Sequence, residues 1–141
     1  MNNLLRLRAK NISEFKKQVV FEPQALQYSD RDEQFIESVL TFVNQHYADA
    51  EFDQNKLAEM LALSRSTLHR KLTSLIGMTA ANLIKDVRLK NAKEMISKKK
   101  GVLISEVAYA VGFNDPKYFS SCFKKEFGVL PSDYIDQQSG E

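Results

Sequence analysis

Two stretches of the sequence place cationic and hydroxyl side chains immediately after a residue that can cap a helix. The first reads SRSTLHRK from Ser64 to Lys71, and the second reads DPKYFSSCFKK from Asp115 to Lys125. Guanidinium, ammonium, imidazole and hydroxyl groups donate hydrogen bonds to the edges of bases and to phosphate oxygens. If each stretch is helical, several of these groups share one exposed face, which predicts a surface that recognises a polyanion.

The charge distribution supports this prediction. The whole chain has a net charge of +2, but residues 64–128 contain 13 Lys and Arg against five Asp and Glu, a regional charge of +8. The remaining residues contain 7 and 13 of these types, a charge of −6. Such an asymmetry is typical of a nucleic-acid-binding face. Basic helices that are only solvated, or that meet an acidic protein partner, show it too.

The elements that must position these residues all read as helices. Apolar residues recur at helical spacing, and capping residues and glycines mark the boundaries. The predicted helices cover residues 4–19, 30–48, 64–77, 79–98, 105–111, 116–127 and 131–135, with a further helix after the cap Asp53 and a linker over residues 20–29. No segment reads as a strand, so the predicted fold class is all-α. The core of the last third is predicted to contain Phe113, Phe119, Phe123 and Phe127.

The chain repeats itself within this predicted architecture. Residues of the same type or role recur at an offset of 50 or 51. The pairs are Ala58 with Ala108, the caps Ser64 and Asp115, the large apolar residues Leu68 and Phe119, and Gly77 with Gly128. Each copy is a short helix, a tight turn, a capped second helix and a glycine stop, which is the helix-turn-helix pattern. Gly112 suits the second turn, whereas Ala62 in the first copy predicts a turn that is built differently.

A long helix is predicted between the two motifs, over residues 79–98. Twenty helical residues span about 30 Å, close to the roughly 34–36 Å of one turn of B-DNA. We therefore expect the second helices of the two motifs to enter successive major grooves of one double-stranded site.

The exposed face of each second helix supplies the candidate DNA contacts. In the first motif these are Arg65, Ser66, His69, Arg70 and Thr73, and in the second they are Lys117, Tyr118, Ser120, Ser121 and Lys124. Arg70 is the strongest candidate for a bidentate contact to guanine. The phosphate candidates are the side chains of Lys71, Lys124 and Lys125 and the backbone N–H groups at the helix starts beside Ser64 and Asp115.

These motifs resemble the DNA-binding domain of the AraC/XylS family of bacterial transcription regulators. The resemblance covers about residues 30–136 and is most specific in ISEVAYAVGFNDPKYFSSCFKKEFGVLPSDY, Ile104–Tyr134, with LSRSTLHRKL and DVRLKNAKEMI as further family-like stretches. It implies seven helices, two helix-turn-helix subdomains (53–77 and 104–128), the linker helix 79–98, and gene activation or repression without catalysis or a cofactor. The family's base-reading positions correspond to Ser66, His69 and Arg70, and to Lys117, Ser120 and Ser121. Many relatives carry a longer side chain where Ser121 stands, so the second motif is expected to read sequence weakly.

The N-terminal NLLRLRAK followed by FEP resembles the end of a receiver domain that runs into an output domain, as in hybrid two-component regulators. That resemblance implies upstream receiver and sensor domains joined through residues 1–29. At the other end, residues 137–141 are predicted to be a disordered tail. Promoter DNA, RNA polymerase and a second copy of the chain are the expected partners, in the cytoplasm.

Other functional classes have little support in the sequence. A single cysteine, Cys122, excludes an internal disulfide, and His46 and His69 lack a metal-ligand spacing. No apolar run could span a bilayer, and no acid pair or nucleophile stands at a catalytic spacing. Arg88 is expected in a structural ion pair. The principal alternative is a helical protein-interaction module with a basic surface.

Overall fold

A computed structural model describes residues 29–139 of the chain, and within that range it contains seven α-helices and no strand. The helices are α1 (Asp30–His46), α2 (Gln54–Met60), α3 (Arg65–Ile76), α4 (Ala80–Lys98), α5 (Ile104–Ala110), α6 (Pro116–Phe127) and α7 (Pro131–Ser139). The all-α class and the seven helices are confirmed. The predicted helix over residues 4–19, most of the linker and residues 140–141 lie outside the described range.

Most helix boundaries lie within two residues of the predictions, and the differences at the two ends of the described range have a clear physical reason. The sequence predicts Asp30 as the cap of this helix, but Ser29 caps α1, because its Oγ accepts a hydrogen bond of 3.1 Å from the Asp32 backbone N–H. At the other end, α7 continues to Ser139, so the prediction of disorder was wrong for residues 137–139. The helix continues because no proline or glycine interrupts the sequence between Ser132 and Ser139.

The described residues divide into two compact units. The first comprises residues 29–45 and 53–83 and therefore holds α1, α2, α3 and the start of α4. The second comprises His46–Phe52 and residues 84–139 and holds the rest of α4 with α5, α6 and α7. Each unit contains one helix-turn-helix motif, α2–α3 in the first and α5–α6 in the second.

The first unit is built around an apolar stripe on α1. Its buried side chains recur at helical spacing: Phe35, Ile36, Val39, Leu40 and Val43. The motif contributes Leu57 and Ala58 from α2 and Leu68, Leu72 and Ile76 from α3, all almost completely buried. Burial of each large aliphatic side chain contributes about 1.5–3 kcal/mol, so Leu68, Leu72 and Ile76 define the inward face of α3.

The second unit has an aromatic core, as predicted. Phe119 and Phe123 on α6 are fully buried, and Phe113 retains 5% of its exposure. The ring centroids of Phe119 lie 5.2 Å from Phe113 and 5.8 Å from Phe123, and Phe127 approaches Phe123 at 4.6 Å. These are tilted or edge-to-face pairs within the favourable range. Phe113, Phe119 and Phe123 are therefore core residues, whereas Phe127, also predicted for the core, is half-buried and packs against it. Burial of Phe119 and Phe123 turns the remaining face of α6 outward.

The turns of the two motifs are built alike, which contradicts the prediction for the first. Ala62 adopts a positive φ of 58°, and its counterpart Gly112 has a φ of 102°. The backbone N–H of Leu63 donates to Ala58 O at 2.9 Å, and that of Phe113 donates to Ala108 O at the same distance. An alanine can adopt this conformation at a cost of about 1–2 kcal/mol. The first motif accepts that strain to keep the same turn.

Asp86 on α4 is a half-buried carboxyl within the second unit. Burial raises the pKa of Asp86 to about 6, and the negative charge of Glu126 adds to this rise while the positive charge of Lys85 opposes it. Between about pH 4 and 6, Asp86 therefore keeps its proton in the folded chain but has lost it in the unfolded chain. This carboxyl therefore lowers the free energy of unfolding as the pH rises through that window.

We expect Asp86→Asn to stabilise the chain at pH 7 by about 1–2 kcal/mol, once the shift is discounted for solvent screening. Below about pH 4 the gain in stability should disappear, because the wild-type Asp86 carboxyl is then neutral in both the folded and the unfolded chain. Urea unfolding followed by circular dichroism between pH 4 and 7 measures the difference. Asp136→Asn removes the same charge from an exposed position on α7 and serves as the control. A gain for Asp86→Asn that does not vary with pH would contradict the assignment.

Candidate nucleic-acid interface

The start of α3 is defined by Ser64. Ser64 is in an extended conformation, and its Oγ accepts from the Thr67 backbone N–H at 3.1 Å, which makes it the N-cap. The hydroxyl also contacts Thr67 Oγ1 at 2.9 Å. Because the side chain of Ser64 is occupied by the helix itself, its predicted phosphate contact falls to the backbone N–H groups of the first turn.

The candidate reading residues of α3 lie where the sequence predicts them. Arg65, Ser66, His69 and Arg70 are all exposed, and none is part of the core of the first unit. Thr73 differs, because it is half-buried and its hydroxyl donates to His69 O at 2.8 Å. Such a bond back to the preceding turn engages the hydroxyl proton within the helix. Thr73 is therefore the weakest of the five candidates.

An open cleft lies at the start of α3. Its volume is about 610 Å³, and its lining residues are Gln54, Ser64, Arg65, Ser66 and His69. Gln54 is the first residue of α2 and was not among the sequence-derived candidates. Its position directly after the cap Asp53, whose carboxylate accepts from the Lys56 N–H at 3.0 Å, is the local signal that could have identified it.

Lys71 does not share the exposed face of α3. It is half-buried, and its Nζ lies 4.4 Å from the centroid of the Phe35 ring on α1. A cation over an aromatic face is a stabilising contact within the unit. In the repeat, Lys71 corresponds to the buried Cys122, which explains why its side chain packs inward. The phosphate role of Lys71 stays a prediction, and its packing on Phe35 makes Lys71 a weaker candidate than the exposed lysines.

The start of α6 is defined by Asp115 and Pro116. Asp115 Oδ1 accepts from the Lys117 backbone N–H at 3.0 Å, and Pro116 occupies the first helical position. A carboxylate only accepts hydrogen bonds and repels phosphate. The structure thus gives Asp115 the predicted capping role, and the phosphate contact expected here from the backbone N–H groups of the first turn stays a prediction.

The outward face of α6 carries Lys117, Ser121 and Lys124 at a spacing of four and then three residues, and all three are exposed. Tyr118 is 54% exposed, and its ring meets Phe113 edge-on at 6.0 Å between centroids. A side-chain hydrogen bond with Cys122 raises the pKa of the Tyr118 hydroxyl above its usual value. Ser120 is only half-exposed and lies on the flank of this face.

The two outward faces distribute their cations differently. At equivalent positions, α3 carries His69 and Arg70 where α6 carries Ser120 and Ser121, and α3 carries Thr73 and Ser74 where α6 carries Lys124 and Lys125. Both lysines are exposed. Long donors near the start of a recognition helix can reach base edges. Ammonium groups toward its end are suited to phosphate.

Metal-binding and membrane-spanning features are absent from residues 29–139. That part of the chain contains no group of three His, Cys, Asp or Glu side chains placed to hold a metal ion. It also contains no helix that is long and apolar enough to cross a bilayer.

Comparison with known proteins places this architecture in a family. Residues 57–137 match the family model described as a helix-turn-helix domain. The chain is 34% identical over 139 residues to histidine kinase P4 of Formosa agariphila, covering 99% of the chain and 10% of that protein. It is 40% identical over 83 residues to the HTH-type transcriptional activator RhaS of Mannheimia succiniciproducens, covering 59% of the chain and 31% of that activator.

A solved structure shares the fold. The C-terminal domain of the two-component response regulator yesN from Fusobacterium nucleatum superimposes with a TM-score of 0.69 at 26% identity, covering 72% of this chain and 98% of that one. The chain thus spans less than a third of either curated relative, while it covers 98% of that C-terminal domain. The chain belongs to the AraC-type helix-turn-helix family, as a DNA-binding domain of transcription regulators.

Proposed function

We propose that the chain binds double-stranded promoter DNA with α3 as its sequence-reading helix. The observation that carries the proposal is the exposed face of α3, on which Ser66, His69 and Arg70 stand within two turns of a capped helix start. Arg70 is suited to guanine O6 and N7 in the major groove, and His69 to a base or a phosphate. Arg65 and the N–H groups of the first turn contact the backbone.

The second motif supplies affinity more than specificity in this proposal. Ser121 is short where α3 has Arg70, so it reaches base edges less well. Lys117, Lys124 and Lys125 are exposed cations that attract phosphates of any sequence. Tyr118 lies beside them and can contact the sugar-phosphate backbone. We expect α3 and α6 to occupy successive major grooves, which the 19-residue α4, about 28 Å long, favours.

The relatives suggest where such a domain acts. We propose that it is the output domain of a two-component regulator, joined through residues 1–29 to receiver and sensor domains in the bacterial cytoplasm. RNA polymerase and a second copy of the chain are the further partners we propose. The proposed role is binding without catalysis. A protein-interaction module with a basic surface is the alternative, and it predicts salt-sensitive binding without sequence preference.

The test is a fluorescence-anisotropy titration of the chain with two duplexes. One is selected by the chain from a randomised library of about 30 base pairs, and the other is an unselected duplex of equal length. We expect tighter binding to the selected duplex and, with about four cations on phosphates, a slope of log affinity against log salt of about −3 to −4. Binding that ignores salt, or equal affinity for both duplexes, would contradict the proposal.

A further inference from the structure

Arg88 on α4 organises the short segment of the second unit that runs from the end of α1 to the start of α2. Its Nε donates to Tyr47 O at 2.8 Å, and its Nη2 donates to Asp49 O and to Phe52 O, each at 3.0 Å. These carbonyls come from the segment His46–Phe52, which connects α1 to α2. The sequence predicted a structural ion pair for Arg88, and the structure shows backbone carbonyls among its partners.

The segment is further fixed by its own contacts. The Asp49 N–H donates to His46 O and the Phe52 N–H donates to Asp49 O, both at 3.0 Å, and Asp49 Oδ1 accepts from the Glu51 N–H at 2.8 Å. Phe52 retains only 2% of its exposure, and its ring stacks on His46 at 5.5 Å. With Arg88 bound to its carbonyls, this short stretch has a defined shape.

The turn of the second helix-turn-helix motif rests on this same segment. A Cβ at Gly112 would lie 2.2 Å from Tyr47 O and 2.6 Å from Arg88 Nε, closer than any side-chain carbon can approach. The backbone of Gly112 is buried and thus lies directly against both groups. We call Arg88 together with the segment His46–Phe52 the carbonyl seat.

The chain reaches α6 within a few residues of this turn. Phe113 is buried and its N–H is bonded to Ala108 O, so little backbone freedom remains between Gly112 and the cap Asp115. We propose that Arg88 is a positioning residue for the second recognition helix. The carbonyl seat holds the Gly112 turn, and the turn sets the direction in which α6 presents Lys117, Ser121 and Lys124.

Arginine has the chemistry that this role requires. Its planar guanidinium offers donors in fixed directions, which suits three carbonyl oxygens contributed by one folded segment. A lysine ammonium is a point charge on a flexible stem and cannot reproduce that geometry. The positive charge stays the same in Arg88→Lys, so this substitution tests geometry separately from charge. The inference rests on the proposed DNA-binding function of α6.

The experiment is a set of double-mutant cycles on the duplex that the wild-type chain selects. Arg88→Lys is combined with Lys124→Ala on α6 and, separately, with Arg70→Ala on α3. Arg88→Met is measured beside Lys98→Met, which removes one positive charge from an exposed site on the same helix. Circular dichroism melts set a temperature at which every variant is folded.

We expect Arg88→Lys to weaken binding to the selected duplex. In the Arg88→Lys background, the loss of affinity caused by Lys124→Ala should be smaller by about threefold or more, because the two residues are coupled. The loss caused by Arg70→Ala should change by less than about twofold, because the two side chains belong to independent sites. Lys98→Met should be additive with Lys124→Ala. A cleavage reagent tethered at Lys125→Cys should cut a displaced or broader tract of the duplex in the Arg88→Lys chain.

A merely structural Arg88 would give a different pattern. Arg88→Lys would then lower the melting temperature but leave the loss from Lys124→Ala and the cleavage position unchanged, and the inference would be overturned. Should Arg88→Met fail to fold, Arg88→Lys still decides the matter. If Arg70→Ala and Lys124→Ala are both silent in the wild-type background, the proposed function itself has failed, which is distinguishable from a failure confined to Arg88.

Discussion

Gly112→Ala is expected to lower the free energy of unfolding by about 2–5 kcal/mol, because two costs add. The residue has a φ of 102°, which an alanine adopts only with strain. The new methyl group would also lie 2.2 Å from the backbone oxygen of Tyr47 and 2.6 Å from Arg88 Nε. Relief requires the segment 46–52 to move, since the nearest atom belongs to the backbone.

Two other substitutions measure the cost of the positive φ without a steric clash. Gly77 has a φ of 72°, and no atom lies within 4 Å of the position that a methyl group would take there. Gly77→Ala should therefore cost only the strain of about 1–2 kcal/mol. Ala62→Gly relieves the same strain in the first motif and should stabilise by about 1 kcal/mol or less. Urea unfolding gives the energies, and amide hydrogen exchange shows which residues lose protection.

If Gly112→Ala and Gly77→Ala lower the free energy of unfolding equally, the contact between Gly112 and the carbonyl seat does not contribute to the loss. Loss of amide protection by Gly112→Ala is expected in residues 46–52 and 84–139, the unit that contains the turn. Protection lost only in the first unit would contradict the packing described for Gly112.

Arg70→Ala is expected to weaken binding to the selected duplex by about 1–3 kcal/mol and binding to an unselected duplex far less. Arg70 is exposed on the outward face of α3, where a bidentate guanidinium discriminates guanine from other bases. Lys124→Ala should weaken both duplexes alike and reduce the salt slope by about one, because an ammonium contacts phosphate without reading sequence.

Anisotropy titrations of both variants on both duplexes, at two or more salt concentrations, measure these effects. Ser74→Ala is the control, since Ser74 is exposed one turn beyond Arg70 and its replacement removes no charge. The division of labour between α3 and α6 fails if the two variants lose equal affinity on the selected and unselected duplexes.

The outline of the fold was accessible from the sequence because its signals are local. Ser64 and Asp115 accept from N–H groups two or three residues ahead, and these caps mark the starts of α3 and α6 as predicted. The apolar spacing selected Phe119 and Phe123 for the core, and both are buried. The predicted end of the last helix was less accurate. No proline or glycine stops α7 after Ile135, and the helix continues to Ser139.

The sequence by itself determined the helices, the repeat and most of the inward faces, but not the partial burial of Lys71, Thr73 and Ser120. Only the tertiary structure decided what the long cations do, because a flexible side chain takes its partner from wherever the chain folds. Lys71 lies over Phe35, and Arg88 bonds carbonyls 36 to 41 residues away. The same distinction separates Ala62 from Gly112. Both residues adopt a positive φ, but only Gly112 lies against a distant segment that leaves no room for a methyl group.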